Sequence, residues 1–344
     1  MDSEIESILD ALSVAVFIVD ADQTITYRNS ASVSLFGTGL RNKKLSHFVP
    51  NKRCIRAVDD VLDGADRQSV DVRLQLVVPT SFRMTAVSLQ KNATRDGASA
   101  VVSFEDVSHI LEAEQMRTDF VANVSHELRS PLTALYGFIE TLQGPARSDQ
   151  QASDRFLQLM EREAARMARL IDDLLSLSKL QSEERYAPTE KVTINPILER
   201  VVASLEPILM KEQATVATDF GADLPDVFGN VDELTQVFAN LIENAAKYSR
   251  PDAVIRVASR IDDKEPEMVR ITVTDQGDGI APKHIARLTE RFYRIDKGRS
   301  RDKGGTGLGL AIVKHILMRH RGRLQIDSEQ GTGSTFSVVL PCAR

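Results

Sequence analysis

Apolar positions along this 344-residue chain change their period twice. From Ala11 to about Val107 they come in short runs separated by turn signals, and "VAVFIVDADQTITYRN" reads as strand, polar turn, strand. Val70, Val72, Leu74, Leu76 and Val78 alternate with polar residues, which puts them on one face of a half-buried strand. A small antiparallel sheet with a few helices is expected there. From Ser108 to Glu184 the period becomes helical. Leu128, Leu132, Leu135, Ile139 and Leu142 follow a four-three repeat, Gly144 and Pro145 interrupt it, and a second run follows. That run is Phe156, Met160, Glu163, Met167, Leu170, Leu174 and Leu177, with Glu163 its one misfit. The spacing predicts an antiparallel helical hairpin with coiled-coil-type seams. Two helices alone bury too little, so a homodimer closing a four-helix bundle is expected. After "APTEKV" the pattern mixes helices with strands such as "VRITVTD" and "STFSVVLP", which suggests an α+β domain to the end. The fold class is therefore α+β and multidomain, divided at 1–107, 108–184 and 185–344.

Composition adds limits. Apolar residues make up 42% and charged residues 27%, values ordinary for a folded globular chain. The net charge of −6 gives no reason to expect nucleic acid or an anionic membrane as a partner. The two cysteines, Cys54 and Cys342, form neither a CxxC pair nor a metal-site cluster, so a reducing compartment is expected. "ALSVAVFIV" at 11–19 is too short to cross a bilayer and lacks a cleavage site. A cytoplasmic location is expected, or the cytosolic portion of an inner-membrane protein if an anchor precedes Met1.

Candidate chemistry starts at "NVSHELRSPLTALYGFIETL", residues 123–142. His126 lies two residues from both Val124 and Leu128, and two residues turn a helix by about 200°, so its ring points from the seam to solvent. Pro131 has no N–H for the carbonyl of Glu127 and its ring crowds that turn, so the helix should be bendable just past His126. A lone surface histidine is ordinarily only solvated, so the rest of the chain has to decide. No GxxxxGK[ST] occurs, which excludes a P-loop. "DQGDGI" (275–280) follows a strand and "GGTGLGLAIVKHI" (304–316) enters an apolar helix, so backbone N–H groups and a helix N-terminus can meet phosphate. Leu310 stands where a dinucleotide fingerprint needs its last glycine, and "GTGSTF" (331–336) reads as a third, simpler turn.

Taken in order, "SHELRSPLTAL", "ANLIENAAKYS" (239–249), "DQGDGI", "RFYRIDKGRSR" (291–301) and "GGTGLGLAIVKHI" resemble the five boxes of the two-component sensor histidine kinases. "DFVANVSHELRSPLTALYGFIETL" is most similar to the phosphate-starvation sensors of that family, and "YRNSASVSLFG" resembles a PAS sensor domain. The resemblance implies a PAS-like α/β sensor, a dimerisation and phosphotransfer hairpin, and a Bergerat-type α/β sandwich that binds ATP. It implies an ATP-dependent protein histidine kinase whose partners are a response regulator, a second copy, and an unknown signal at the PAS-like domain.

Site roles follow by the same resemblance. His126 would be the nucleophile, Glu127 the acceptor of its proton, and Ser130 the residue that orients a water in dephosphorylation. Asn244 matches the ligand of Mg2+, Lys247 a phosphate contact, Tyr248 a wall for the base, and Asp275 the acceptor of the adenine amino group. Gly277 and Gly279 would let the backbone approach the nucleotide, with Ile280 beside them. Further nucleotide positions are Asn240, Phe292, Arg294, Gly305, Thr306, Gly307, Leu308, Gly309 and Leu310, and the basic stretch between Phe292 and Gly304 resembles a lid. Gyrase-like and chaperone-like relatives carry a glutamate, four residues before the magnesium asparagine, that activates water. Here Asn240 occupies that place, which favours transfer to His126 over hydrolysis. His47, His109, His284, His315 and His320 read as surface or packing residues, and Cys54 as a core thiol. A scaffold that only recruits partners is the competing class, disfavoured because every motif residue is intact.

Overall fold

The computed structural model describes residues 3–76, 79–89, 99–144, 149–183, 186–296 and 305–343. Val78, Pro145, Gly304 and most of the lid-like stretch lie outside the described residues. Two compact units emerge, Met1–Val121 and Ala122–Arg344. Among the described residues no helix is long and apolar enough to cross a membrane.

The first unit contains α1 (Ser3–Asp10), β1 (Ala15–Val19), β2 (Ile25–Arg28), α2 (Ser30–Phe36), α3 (Lys52–Leu62), β3 (Arg67–Gln75), β4 (Pro79–Ser88) and β5 (Ala100–Asp106). The strands form one antiparallel sheet in the order β2-β1-β5-β4-β3. Alternation places Val72 and Leu74 inward, as the period of two predicts. The core is aromatic: Phe17, Phe36 and Phe82 ring Phe104, with centroids 5.5 to 6.3 Å from it. Asn29 ties the sheet to the helices. Its Oδ1 accepts from Val16 and Ser32 backbone N–H, capping α2, while its Nδ2 donates to the Leu9 and Val14 carbonyls. Cys54 is fully buried on α3, and burial pushes its thiol up to about 11, so it is the inert core residue expected.

The hairpin is α4 (Ser108–Gln143), which runs through the boundary between the units, and α5 (Gln150–Glu183). Phe138 stacks against Phe156 at 5.7 Å, and Glu127 pairs with Arg166 at 2.9 Å, so the contacts ascend one helix as they descend the other. Leu170, Leu177 and Leu180 are buried, but Leu132 is 58% exposed and Leu175 65% exposed. The repeat in α4 is thus only partly covered by its own chain. The helix continues without a break through Pro131, whose ring is buried, while the Thr133 hydroxyl donates to the Arg129 carbonyl nearby.

The remainder of the second unit holds β6 (Lys191–Val192), α6 (Ile194–Ser204), α7 (Glu206–Lys211), β7 (Thr215–Phe220), β8 (Val227–Phe228), α8 (Val231–Tyr248), β9 (Val254–Ile261), β10 (Met268–Asp275), α9 (Pro282–Ile285), α10 (Gly309–Arg319), β11 (Arg323–Glu329) and β12 (Gly333–Pro341). Its main sheet runs β11-β12-β10-β9-β7, with only β7 and β9 parallel. Helix α8 packs on α6, α10 and β10, burying Leu234, Val237, Phe238, Leu241 and Ile242 at three-four spacing. Asn230 caps α8 by accepting from Glu233 N–H, and His320 closes the same corner. The His320 Nε2 accepts from the Asn230 N–H at 3.0 Å and its Nδ1 donates to the Ile316 carbonyl at 2.8 Å, which defines a buried neutral imidazole. His320 is therefore the packing residue expected.

Candidate functional site

The apolar stripe of α8 leaves a half-buried flank on which Asn240, Asn244 and Lys247 recur at helical spacing. Lys247 pairs with Glu243 at 2.7 Å, one turn earlier. Across from this flank the period of β10 brings Asp275 inward. Val269, Ile271, Val273 and Asp275 alternate onto the buried face, so a carboxylate ends a run of core residues at 6% exposure. One of its oxygens accepts from the Gly277 N–H at 2.8 Å and the Ser334 N–H at 3.1 Å. Burial raises its carboxyl above the usual range and these N–H groups offset part of that rise.

Two positions of the loop after β10 have room only for glycine. A Cβ at Gly277 would stand 2.4 Å from the Tyr248 carbonyl oxygen, and one at Gly279, where φ is +67°, 2.0 Å from that of Glu329. Sequence reasoning expected these glycines to admit a nucleotide. In the structure their immediate cause is the protein's own backbone, packed against the end of α8 and the β11–β12 turn. Ile280 N–H donates to Ser328 Oγ at 2.8 Å and fastens the loop to that turn. Tyr248 is 41% exposed and lines a polar cavity of about 300 Å³ with Ser249, Arg250 and Asp278.

The segment from Gly305 closes the other side. Phe292 N–H donates to the Gly307 carbonyl at 2.8 Å, so the two motifs that flank the lid-like stretch are joined at its base. Gly305, Thr306 and Gly307 are half-buried, Leu308 is fully buried, and Gly309 and Leu310 begin α10. Gly309 faces Asn240: a Cβ there would lie 3.4 Å from Asn240 Oδ1. The Asn240 Nδ2 is buried and has no partner among the described residues, so a donor without an acceptor points into the site at a helix N-terminus. An anionic ligand fits both features. For a metal, Asn244 offers one amide oxygen on the same flank. A single neutral oxygen of this kind suits a hard cation that keeps most of its waters.

On the hairpin, His126 and Ser130 are exposed, one turn apart on α4. Glu127 is engaged instead: Arg166 Nη2 donates to its Oε2 at 2.9 Å, and Arg294 Nη1 lies 3.9 Å from the same oxygen. Arg294 is one of the positions that the resemblance marks for nucleotide, and it stands here beside the hairpin. Two further contacts join the same bodies. Thr306 Oγ1 donates to Asp173 Oδ2 on α5 at 2.6 Å, and Ser176 Oγ donates to Gln236 Oε1 on α8 at 3.2 Å. Sequence reasoning missed Arg166, Asp173, Gln236 and Ser334. Only Ser334 carried a signal, because it sits in the third glycine turn.

Three family profiles match the chain: a PAS domain at 3–70, a His Kinase A (phospho-acceptor) domain at 116–183, and a histidine kinase-, DNA gyrase B- and HSP90-like ATPase at 229–344. The phosphate regulon sensor protein PhoR of Pseudomonas aeruginosa is 36% identical over 331 residues, which are 95% of this chain and 72% of that protein. The sensor protein kinase WalK of Staphylococcus saprophyticus is 31% identical over 98% of this chain, which spans only 55% of that relative's length. In fold, the chain is similar over 98% of both chains to histidine kinase ThkA in complex with response regulator protein TrrA, at a TM-score of 0.53 and 18% identity. Acinetobacter baumannii histidine kinase AdeS matches 64% of this chain and 98% of its own, at 0.50 and 24%.

Proposed function

The chain belongs to the two-component sensor histidine kinases, and from that premise we propose that it transfers the γ-phosphoryl group of ATP to His126 and onward to an aspartate of a response regulator. The observation that carries this reading is the buried, unpartnered amide of Asn240 beside the N-terminus of α10. A phosphate oxygen gives that donor its acceptor, and an amide in place of a carboxylate leaves no base to activate water there.

Asp275 holds the base by accepting from its amino group, with the carboxylate fixed in place by the Gly277 and Ser334 N–H groups on one oxygen. Lys247 and the N–H groups of residues 305–309 meet the phosphates. Asn244 would hold Mg2+, which when bound neutralises charge on the transferring group and its leaving oxygen. His126 then forms a nitrogen–phosphorus bond as the bond from the γ-phosphorus to the bridging oxygen breaks, and ADP leaves with the electron pair. The proton on the other ring nitrogen passes to Glu127, once the carboxylate turns from Arg166. Domain roles follow the divisions 1–107 for sensing, 108–184 for dimerisation and phosphotransfer, and 185–344 for ATP, and the reaction runs on the cytosolic side. Ser130 orients water for the reverse hydrolysis of the regulator's aspartyl phosphate. Ser130→Ala should slow that hydrolysis, and equal rates in a purified regulator assay would remove the role.

Incubation with γ-labelled ATP and magnesium tests the main reading. Acid-labile, base-stable label on the wild type and none on His126→Ala is expected. A wild type that binds nucleotide but takes up no label would instead support the scaffold class.

A further inference from the structure

The ATP-binding fold rests on its own hairpin through a contact that uses one of its nucleotide residues. Thr306 ends the segment that leads into α10, and its hydroxyl is already engaged twice: it donates to Asp173 Oδ2 at 2.6 Å and accepts from the Leu308 N–H at 3.3 Å. A hydroxyl has one proton to give. The acceptor it has found is a carboxylate, an anion with the oxygen geometry of a phosphate edge, set at the mouth of a loop whose N–H groups favour anions. Asp173 is only part of the contact. Ser176, one turn along α5, bonds to Gln236 on α8, and Glu127 on α4 faces Arg294, so the ATP-binding fold meets the hairpin at three points, of which Thr306 is the one in the loop.

We propose that Asp173 is an internal competitor of ATP: it occupies the phosphate-binding loop through Thr306 and holds the kinase in a resting pose that nucleotide must displace. The competition is electrostatic as well as steric. Asp173 is part-buried, with the Thr306 hydroxyl on its Oδ2 and the charges of Glu243, Asp172 and Arg169 close enough to act on it. Desolvation first, then Glu243 and Asp172, raise its carboxyl, against the Thr306 hydrogen bond and Arg169. The pose thus already sets one carboxylate against the loop. Triphosphate there adds more at short range, so the docked pose and the loaded loop disfavour each other, and by linkage whatever weakens the pose tightens nucleotide.

This inference rests on the assignment of residues 305–310 to the nucleotide, and the experiment separates the two. Affinity for a non-hydrolysable ATP analogue with magnesium is measured by calorimetry on the whole chain as wild type, Asp173→Asn, Asp173→Ala and Asp275→Asn. Both Asp173 variants should bind about threefold to tenfold tighter, the range that one part-exposed hydrogen bond of ordinary net strength carries. Asp275→Asn should bind more weakly. A second readout uses Ser176→Cys with Gln236→Cys in a Cys342→Ser background, bridged by a short bismaleimide that spans the reach of the lost glutamine side chain: the cross-link should form without nucleotide and its yield should fall as the analogue is added. Asp173 variants that bind as wild type does, while Asp275→Asn weakens binding, would overturn the competition and leave the nucleotide site standing. Unchanged affinity in Asp275→Asn as well would overturn the site assignment itself. A cross-link yield indifferent to nucleotide also counts against the proposal.

Discussion

At Asp275 and His320 a single polar group sits among core residues, and in each case its partners set what it can do. Asp275 was legible from the sequence because a motif carried it, and a period of two then put it inside. His320 carried no motif. Its role depends on Asn230, ninety positions away in sequence, whose N–H it accepts while Ile316 takes its own proton. Burial, then the Arg319 charge, lower its pKa below the usual histidine range, and the Ile316 hydrogen bond only partly opposes them. The fold therefore prefers the neutral ring. In the unfolded chain His320 takes a proton near pH 6.5, so its contribution to stability is present above that pH and lost as pH falls below it. His320→Gln should cost about 1 to 3 kcal/mol at pH 7 by breaking two buried hydrogen bonds, yet melt with less pH dependence between pH 6.5 and 5. Melting curves of the two proteins across that range check it, and parallel curves would show that His320 does not titrate with unfolding. Arg166 and Asp173 were illegible for the same reason as His320. A salt bridge between residues 39 apart, or a hydroxyl 133 apart from its carboxylate, leaves no trace in local spacing.

Elements were read more fully than contacts, because periodicity is local. The change from period two to a four-three repeat gave both helices of the hairpin and the break after Gln143, and the glycine turns marked the ends of β10 and β11. What periodicity could not assign was the partner of each apolar face. Leu132 lies squarely in the repeat of α4, yet it is 58% exposed, as are Tyr136 at 64% and Leu175 at 65%. Leu170 and Leu177, in the matching repeat of α5, are buried, helped by α10 packing against that helix. The open half of the hairpin is the face a second copy would cover, closing four helices around it. Leu132→Glu should then place a charge in that interface and release monomers, while leaving the monomer's own fold intact because the side chain is already in water. Light scattering of wild type and variant decides it: a monomeric wild type, or a variant that stays dimeric, removes this face from the interface. Glu163, the misfit in the α5 repeat, lies 3.9 Å from Arg166, which in turn holds Glu127, so the polar residue in the stripe supports the ion pair that joins α5 to the middle of α4.

For the molecule as a whole, the two units have separate cores, and this makes their stabilities separable in a single heating experiment. The first unit is organised around Phe17, Phe82, Met84 and Phe104, all buried in its own sheet and helices. The second has its apolar centre between α8, α10 and β10, at Phe238, Ile242, Ile271 and Ile312. Nucleotide that binds only the second unit stabilises that unit by mass action, about 2.7 kcal/mol at a hundred times the dissociation constant. For a unit of that size this raises its melting temperature by roughly 5 to 10 °C. A cavity in the first core acts in the opposite sense on the other transition. Met84 is fully buried, so Met84→Ala should cost about 2 to 5 kcal/mol and lower the melting of the first unit by on the order of 10 °C. Differential scanning calorimetry should therefore resolve two transitions, one raised by ATP with magnesium and untouched by Met84→Ala, the other lowered by Met84→Ala and untouched by nucleotide. One transition that responds to both perturbations would mean that α4, which runs through the boundary, makes the units melt together, and a nucleotide that moves neither would remove ATP from the second unit.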